Sequence, residues 1–367
     1  MNVTFSGFYG MHNTGDDCFC KVAEWGAEKY WNVGTSYFLS KRIPVLSKNS
    51  KPVLKKVHHR LSFINEFLLN RHFTKNNHLI YAGGSIFHGK EWWEMEYARK
   101  NLHKFNLKIG AIGVSVGPFD SVSHEKKVIE FMKNMSFICV RDQKSYDLVQ
   151  SYNLDLPCIN GFDLAGLLPR VSNDSSKNKK PAAGVTIGLA LCLFSGKSGQ
   201  THHTNQSRLE LLASSINKLN SNWNKDLSLK LFVFNGHETY GDLEATRIFA
   251  NLLEPSVKFE IYDYNRDPMS MWHQISACDA VLSFRLHGAI YSFMAKVPFL
   301  LAEVHEKSSN FLDDINWSQD FRVGDFELSS ESLTKTIEQL VEKHEFSDDV
   351  ERSIVKAEKN FTEAIFK

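Results

Sequence analysis

The sequence has almost no excess of charge of either sign, and this absence excludes several classes of protein. Lys and Arg together number 43 and Asp and Glu number 42, so the formal net charge of the 367 residues is +1. A broad basic surface for DNA or RNA needs a clear excess of positive charge. We therefore expect no nucleic-acid partner.

Long apolar runs are missing as well. No stretch approaches the roughly 18 consecutive apolar residues of a membrane-spanning helix. The opening segment MNVTFSGFYG has neither the basic start nor the apolar core of a signal peptide. These two absences predict a cytoplasmic protein.

The six cysteines do not have the spacing of a disulfide framework or a metal site. They are scattered and mostly lie inside apolar runs, which favours free buried thiols. Cys18 and Cys20 are one residue apart and lack a second pair, so we interpret them as structural. Gly196-Lys197-Ser198 resembles the end of a P-loop, but Leu191 stands where its first glycine belongs. We expect neither a bound metal nor a cofactor.

Strand-like and helix-like patterns alternate along the whole chain. Hydrophobic residues make up 43% and charged residues 23%, which is typical of a globular protein. The alternation predicts an α/β fold with two Rossmann-like parallel-sheet domains. A Ser-, Asn- and Lys-rich stretch interrupts it, as a linker does. The predicted boundaries are an N-terminal α/β domain in residues 1–170, a linker in 171–184, a C-terminal α/β domain in 185–345, and a terminal helix in 346–367 that packs back on the first domain.

The stretch from Asp279 to Glu303 carries the strongest functional signal. A short apolar strand is followed without a spacer by Arg285 and His287, and a helix of small residues then runs up to Pro298. A fixed cation and an imidazole therefore follow a strand end and precede a helix N-terminus, where backbone N–H groups favour anions. The alternative is that Arg285 pairs with a structural carboxylate and His287 only packs.

Other predicted strand ends carry polar or small residues too, and the strand predicted from His78 to Ala82 ends in Gly83-Gly84-Ser85. In the turn GMHNTGDD after the first strand, Asp16 or Asp17 either caps the following helix or serves as a base. Arg141 follows a strand and either binds a ligand or forms a local pair, and Lys307 lies in a predicted polar loop, Val304–Ser309. The candidate site residues are Asn13, Gly15, Asp16, Gly83, Gly84, Arg141, Ser145, Arg285, His287 and Lys307.

Four motifs give the chain a family resemblance. They are GFYGMHNTGDD near the start, YAGGSIF after the next strand, VRDQKS in the middle, and SFRLHGAIYSFMAKVPFLLAE in the second half. In order and spacing the chain resembles the polysaccharide pyruvyl transferases, over most of its length. The last motif is the most specific. We also expect the strand ends of two domains to face each other across one cleft, as in GT-B-like transferases, although a fold alone does not name a reaction.

The resemblance implies a reaction and its partners. That family transfers the pyruvyl unit of phosphoenolpyruvate onto two hydroxyls of one sugar, forming a cyclic ketal and releasing phosphate. The implied donor is phosphoenolpyruvate, the implied acceptor is a sugar or oligosaccharide, and no cofactor is required. A lipid-linked acceptor would imply loose membrane association. Trp92, Trp93 and Tyr9 are candidates for stacking on the sugar.

The residues suit this chemistry in specific roles. Arg285, with Arg141 or Lys307, would hold the carboxylate and phosphate of the donor. His287 would protonate the methylene carbon as general acid, and Asp16 or Asp17 would be the base for the acceptor hydroxyl.

Two departures from the family pattern and two rival functions remain. Ser85 stands where a third glycine is usual, and Val304-His305-Glu306-Lys307 stands in place of Tyr-Asp-x-Lys. One rival is a GT-B glycosyltransferase with a nucleotide-sugar donor. The other is a non-catalytic carbohydrate-binding or scaffold protein.

Overall fold

The computed structural model describes seven ranges of the chain, namely residues 1–54, 62–88, 93–172, 184–194, 204–325, 328–343 and 349–364. These residues form two compact units. The first unit contains Met1–Met11, Gly15–Leu167 and Arg352–Lys367, and the second contains His12–Thr14 and Leu168–Glu351.

Two parallel sheets provide the frame of the two units. In the described residues the strands are β1 (Asn2–Ser6), β2 (Thr35–Phe38), β3 (Ser50–Pro52), β4 (His78–Phe87), β5 (Lys108–Val116), β6 (Met135–Val140), β7 (Cys158–Asn160), β8 (Gly184–Ala190), β9 (Asp226–Phe232), β10 (Lys258–Tyr262), β11 (Ala280–Ser283) and β12 (Phe299–Leu301).

Helices connect most successive strands, although β2 and β3 are joined without one. The described helices are α1 (Thr14–Trp31), α2 (Ser62–Phe73), α3 (Trp93–Phe105), α4 (Val122–Met132), α5 (Gln143–Ser151), α6 (Leu168–Val171), α7 (Asn205–Asn222), α8 (Leu243–Asn251), α9 (Pro268–Ser276), α10 (Leu286–Met294), α11 (Glu306–Asp314), α12 (Ser330–Lys343) and α13 (Asp349–Thr362).

The first unit is built on a seven-stranded sheet. Its strand order is β3-β2-β1-β4-β5-β6-β7, and every pair is parallel. The central strands β4 and β5 are buried along nearly their whole length, which explains their continuous apolar sequence. The packed side chains around them include Tyr81, Phe87 and Phe131.

The second unit is built on a five-stranded sheet. Its order is β10-β9-β8-β11-β12, again with parallel pairs throughout. Strands β8 and β11 lie at its centre, and their side chains pack with those of α7 and α12. The α/β fold with two parallel sheets, predicted from the alternation of patterns, is therefore confirmed.

The C-terminal helix α13 contributes side chains to the first unit. Asn360 accepts a hydrogen bond from the Gly113 backbone N–H at 2.6 Å and donates one to the Phe162 carbonyl at 2.9 Å. The ring of Phe361 lies against Trp31, with 5.2 Å between ring centroids. A Cβ on Gly26 would meet the same ring at 2.3 Å, so this glycine permits the close packing.

Two local predictions were wrong. Strand β4 does not end before Gly83 and Gly84 but continues to Phe87 through an irregularity at those glycines, whose φ angles are +77° and +86°. Glycine adopts such angles without strain, so the strand continues through a shift of register against β5 instead of ending. The predicted loop 304–309 is also shorter, because α11 begins at Glu306.

The predicted linker lies mostly outside the described residues. Helix α6 ends at Val171 and β8 begins at Gly184, while residues 173–183 are not described. Across the described ranges, no helix combines the length and apolarity that crossing a membrane demands.

Candidate active site

Several polar and aromatic side chains of the second unit lie beyond the carboxyl ends of the second sheet. Arg285 lies two residues after the end of β11, and His305 lies four residues after the end of β12, the neighbouring strand. The ring of Phe194, which comes after β8, stacks on Phe284 at 5.8 Å and meets His305 edge-on at 5.4 Å. This edge of a parallel sheet is where ligands bind in α/β folds.

Arg285 is fixed by its own backbone before its side chain makes any contact. It is the N-cap residue of α10, and the Ser283 hydroxyl accepts a hydrogen bond from its N–H at 3.1 Å and donates one to its carbonyl at 2.6 Å. A Cβ on Gly288 would lie 2.3 Å from the Ser283 hydroxyl oxygen, so only glycine lets the helix start this close to the strand.

A buried carboxylate holds the guanidinium of Arg285. Its Nε lies 3.1 Å from each carboxylate oxygen of Asp242, and Nη2 also donates to Oδ1. The Asp242 side chain is fully buried, whereas that of Arg285 remains 28% exposed. Arg285 therefore has the carboxylate partner that the sequence analysis gave as the alternative. That partner is Asp242, which the sequence analysis did not identify.

His305 and Lys307 lie at the start of α11. His305 is its N-cap residue, and Lys307 is exposed in its first turn rather than in a loop. Burial lowers the pKa of His305, and the positive charges of Lys307 and Arg285 lower it further. The imidazole thus favours its neutral form, first because it is half-buried and second because two cations lie nearby.

The charges of Arg285 and Lys307 also act on the pKa of the buried Cys192 thiol. The pKa of the thiol is raised to about 11, because burial and the charge of Asp242 raise it more than the charges of Arg285, Lys307 and Arg208 lower it. Arg285 and Lys307, which the sequence assigned to one anion site, are therefore close enough to act on the same group.

His287 occupies the first turn of α10, two residues after Arg285, and is half-buried. Its position next to a helix N-terminus matches the sequence expectation of an imidazole beside an anion site. Its role as a general acid stays a prediction.

Asn13 belongs to the second unit although it lies near the chain start. Residues His12–Thr14 pair with the end of β9 through an antiparallel bridge from Asn13 to Asn235. The Gly236 N–H donates to the His12 carbonyl at 2.8 Å, and the ring of His12 stacks on Tyr264. The Asn235 N–H in turn donates to Asp242 at 2.9 Å. Asn13 is therefore connected through Asn235 to the carboxylate that holds Arg285.

Arg141 lies in a buried polar network of the first unit. Its Nη1 donates to Asp163 at 2.8 Å, its Nε to Ser115 at 2.6 Å, and its Nη2 to Ser85 at 3.1 Å. Only 8% of the Arg141 side chain and 4% of Asp163 are exposed. Ser85, the departure from a third glycine, thus serves as a partner of this arginine. Binding of a ligand by Arg141 stays a prediction.

The remaining candidates also belong to the first unit. Ser145 is buried, and its hydroxyl accepts a hydrogen bond from the Val116 N–H at 2.9 Å, which gives it a structural contact. Gly83 has the ring of Phe19 where a Cβ would stand, at 2.3 Å. Gly15 and Asp16 lie in the first turn of α1. None of these contacts tests a binding or catalytic role, and those roles stay predictions.

The aromatic residues proposed for sugar stacking are not equally available. Tyr9 is buried, and its hydroxyl donates to the Ala82 carbonyl at 2.8 Å, so the expectation that its ring stacks on a sugar was wrong. Trp92 lies outside the described residues, as does the side chain of Trp93. In the ranges that the structure describes, no group of three His, Cys, Asp or Glu side chains could hold a metal ion.

Comparisons with known proteins agree with this picture. The family model described as "Polysaccharide pyruvyl transferase" matches residues 28–305. No curated protein matches the chain significantly.

Solved structures show the likeness in fold. The UDP-GlcNAc 2-epimerase from Methanocaldococcus jannaschii is 12% identical with a TM-score of 0.60, and the alignment covers 97% of each chain. The epimerase from Neisseria meningitidis bound to UDP-GlcNAc is 12% identical with a TM-score of 0.59, covering 99% of each chain. A putative enzyme of the same kind from Listeria monocytogenes is 10% identical with a TM-score of 0.61, covering 98% of this chain and 91% of that one.

Proposed function

Because the chain belongs to the polysaccharide pyruvyl transferase family, we propose that it moves the pyruvyl group of phosphoenolpyruvate onto two hydroxyls of one sugar. The product is a cyclic ketal, and inorganic phosphate leaves. The acceptor is a sugar or oligosaccharide that belongs to polysaccharide biosynthesis, and the transfer needs no cofactor.

One observation carries the proposal more than any other. Arg285 is held from below by a fully buried carboxylate, yet 28% of its side chain is exposed at the end of a strand. Lys307 and Arg285 both lower the pKa of His305, so both positive charges lie near that imidazole. Two cations at one edge suit a donor that carries both a carboxylate and a phosphate.

The chemical steps assign a role to each residue. His287 gives a proton to the methylene carbon, and the adjacent carbon gains oxocarbenium character. One hydroxyl attacks that carbon and the second displaces phosphate, so two C–O bonds form and one breaks. Of the two hydroxyl protons, one balances the proton taken up by carbon and the other leaves with phosphate. Asp16 is the proposed base.

The remaining sequence candidates complete the proposal. Arg285 binds the donor, with Lys307 and Arg141 as further cations. Asn13, Gly15, Gly83, Gly84 and Ser145 are proposed to line the substrate site.

The experiment is an assay of the purified chain with phosphoenolpyruvate and a panel of galactosides, glucosides and N-acetylmannosaminides. Phosphate release and the mass of the product are measured. We expect phosphate and a ketal in equal amounts with at least one acceptor. Release of a nucleoside diphosphate from a nucleotide sugar, with no use of phosphoenolpyruvate, would contradict the proposal, and so would sugar binding without turnover.

Two variants test the roles within that assay. His287→Ala should keep donor binding and lose about 10²- to 10⁴-fold in kcat, as removal of a general acid does. Arg285→Ala should weaken donor binding about 10- to 100-fold, the value of charge-assisted hydrogen bonds. The exposed residues His273 on α9 and Arg247 on α8 provide matched controls, His273→Ala and Arg247→Ala. Normal turnover by His287→Ala would end its assignment as the acid.

A further inference from the structure

The loop between β9 and α8 ends at Asp242, whose carboxylate does not cap the helix that follows. Asp242 is the N-cap residue of α8, but its side chain makes no capping hydrogen bond. It turns instead to the Asn235 N–H, at 2.9 Å, and to the guanidinium of Arg285. An aspartate normally stabilises a helix start by capping, so this one forgoes that contact in favour of the arginine.

Hydrogen bonds within the same loop hold Asn235, whose N–H binds the carboxylate of Asp242. The Asn235 side chain accepts from the His237 N–H at 3.0 Å and donates to the Tyr240 carbonyl at 3.0 Å. The Asp242 N–H donates to the Asn235 carbonyl at 2.8 Å. A Cβ on Gly241 would lie 2.2 Å from the His237 carbonyl oxygen, so the loop closes tightly only with glycine there.

Burial works against the ionised form of Asp242, even though a guanidinium faces it. Burial raises the pKa of Asp242, and Arg285 offsets only part of that rise. Between its ordinary and its raised pKa the folded chain keeps a proton that the unfolded chain releases. The free energy of unfolding therefore falls as pH rises through that window. An ionised Asp242 is a cost to the fold.

We propose that Asp242 is a positioning residue for the donor site: it fixes the orientation in which the Arg285 guanidinium meets the anionic groups of phosphoenolpyruvate. The inference rests on the proposed function. Asp242 lies behind the arginine, and its full burial keeps it from the donor itself. Two N–H groups of Arg285 are directed at one carboxylate, which restricts rotation of the planar guanidinium and leaves its exposed part in a single orientation.

The test compares two aspartates that hold arginines in the same unit. Asp242→Asn removes the charge with little change of shape. Asp325→Asn does the same to the carboxylate that receives Nε and Nη2 of Arg208, both at 2.7 Å. Initial rates of phosphate release give KM for phosphoenolpyruvate and kcat, and thermal unfolding gives Tm.

We expect Asp242→Asn to change mainly KM and Asp325→Asn to change mainly Tm. Asp242→Asn should raise KM for phosphoenolpyruvate about 10- to 100-fold, with a smaller change in kcat and Tm within about 2 °C of the wild type. Asp325→Asn should leave KM unchanged and lower Tm by about 10 °C. In an Arg285→Lys background, Asp242→Asn should add little, because the residue acts through the arginine.

The outcomes separate this inference from the proposed function. A wild-type chain that neither binds nor consumes phosphoenolpyruvate overturns both together. A wild type that turns it over, with an unchanged KM in Asp242→Asn, overturns the inference alone, and so does full additivity with Arg285→Lys. If Asp242→Asn does not fold, Asn235→Ala provides the second variant, since it loosens the loop and keeps the carboxylate. We expect it to raise KM by a smaller factor, and an unchanged KM there counts against the inference.

Discussion

Two arginine–aspartate pairs of the second unit share the same bonding pattern but differ in which partner reaches solvent. In the pair of Arg208 with Asp325, 2% of the arginine and 10% of the aspartate side chain are exposed. In the pair of Arg285 with Asp242, 28% of the arginine and none of the aspartate is exposed. In both pairs Nε and Nη2 bind the carboxylate.

The difference indicates what each pair is for. A buried arginine with a carboxylate toward the surface neutralises a charge inside the protein, and nothing outside can use that cation. A buried carboxylate with an arginine toward the surface presents an oriented cation to a ligand. If Arg285 binds the donor as proposed, the exposure of the arginine, more than the presence of the pair, distinguishes a structural contact from a binding contact.

The largest expected effect on this comparison is that of Asp325→Asn on stability. The substitution leaves the almost fully buried Arg208 without a counter-charge, and breaking a buried pair in this way costs about 3–5 kcal/mol. Urea unfolding of the variant and the wild type measures the difference in the free energy of unfolding. A loss below about 1 kcal/mol would mean that Arg208 is not buried in solution as it is here.

A smaller but similar loss is expected for Asp163→Asn in the first unit. Arg141 is 8% exposed and so falls in the buried class, but it keeps hydrogen bonds to Ser115 and Ser85. The free energy of unfolding should therefore fall by about 2–3 kcal/mol, measured by the same urea titration. A raised KM for phosphoenolpyruvate in this variant would support the donor role proposed for Arg141 and would show that low exposure of an arginine does not exclude binding; an unchanged KM with lower stability would leave Arg141 a structural residue.

The smallest expected effect concerns the charge around Arg285. Lys307→Met removes one of the two positive charges that lower the pKa of His305, so this pKa should rise. An NMR titration of the imidazole measures it. Lys335→Met, which removes an exposed lysine from α12, is the control and should leave the titration unchanged. An unmoved pKa in Lys307→Met would place Lys307 outside the anion site.

The sequence supports the architecture well because the relevant signals are local. Apolar runs and helical spacing within single segments predicted both parallel sheets, and the position of Arg285 after a strand followed from a few adjacent residues. The start of α11 was missed because its N-cap residue, His305, is not one of the usual capping residues. The sequence does not distinguish the irregularity in β4 from a strand end, because paired glycines also end strands.

The partners of the arginines could not be derived in the same way. Asp242 lies 43 residues before Arg285, and Asp163 lies 22 residues after Arg141. No periodicity links such positions, since only the folded sheet brings them together. Asp242 also reads as an ordinary capping aspartate before α8, so the local signal pointed to a different role.

The assignment of His12–Thr14 to the second unit, and of Arg352 onward to the first, has a consequence for modular exchange. Neither unit is one uninterrupted piece of the polypeptide. A segment of the second unit that begins at Leu168 would lack the three residues His12–Thr14, whose backbone pairs with the chain just after β9 at Asn235 and Gly236. Chimeras of family members that are joined only at the linker would therefore contain an incomplete second unit. A complete exchange also has to include residues His12–Thr14.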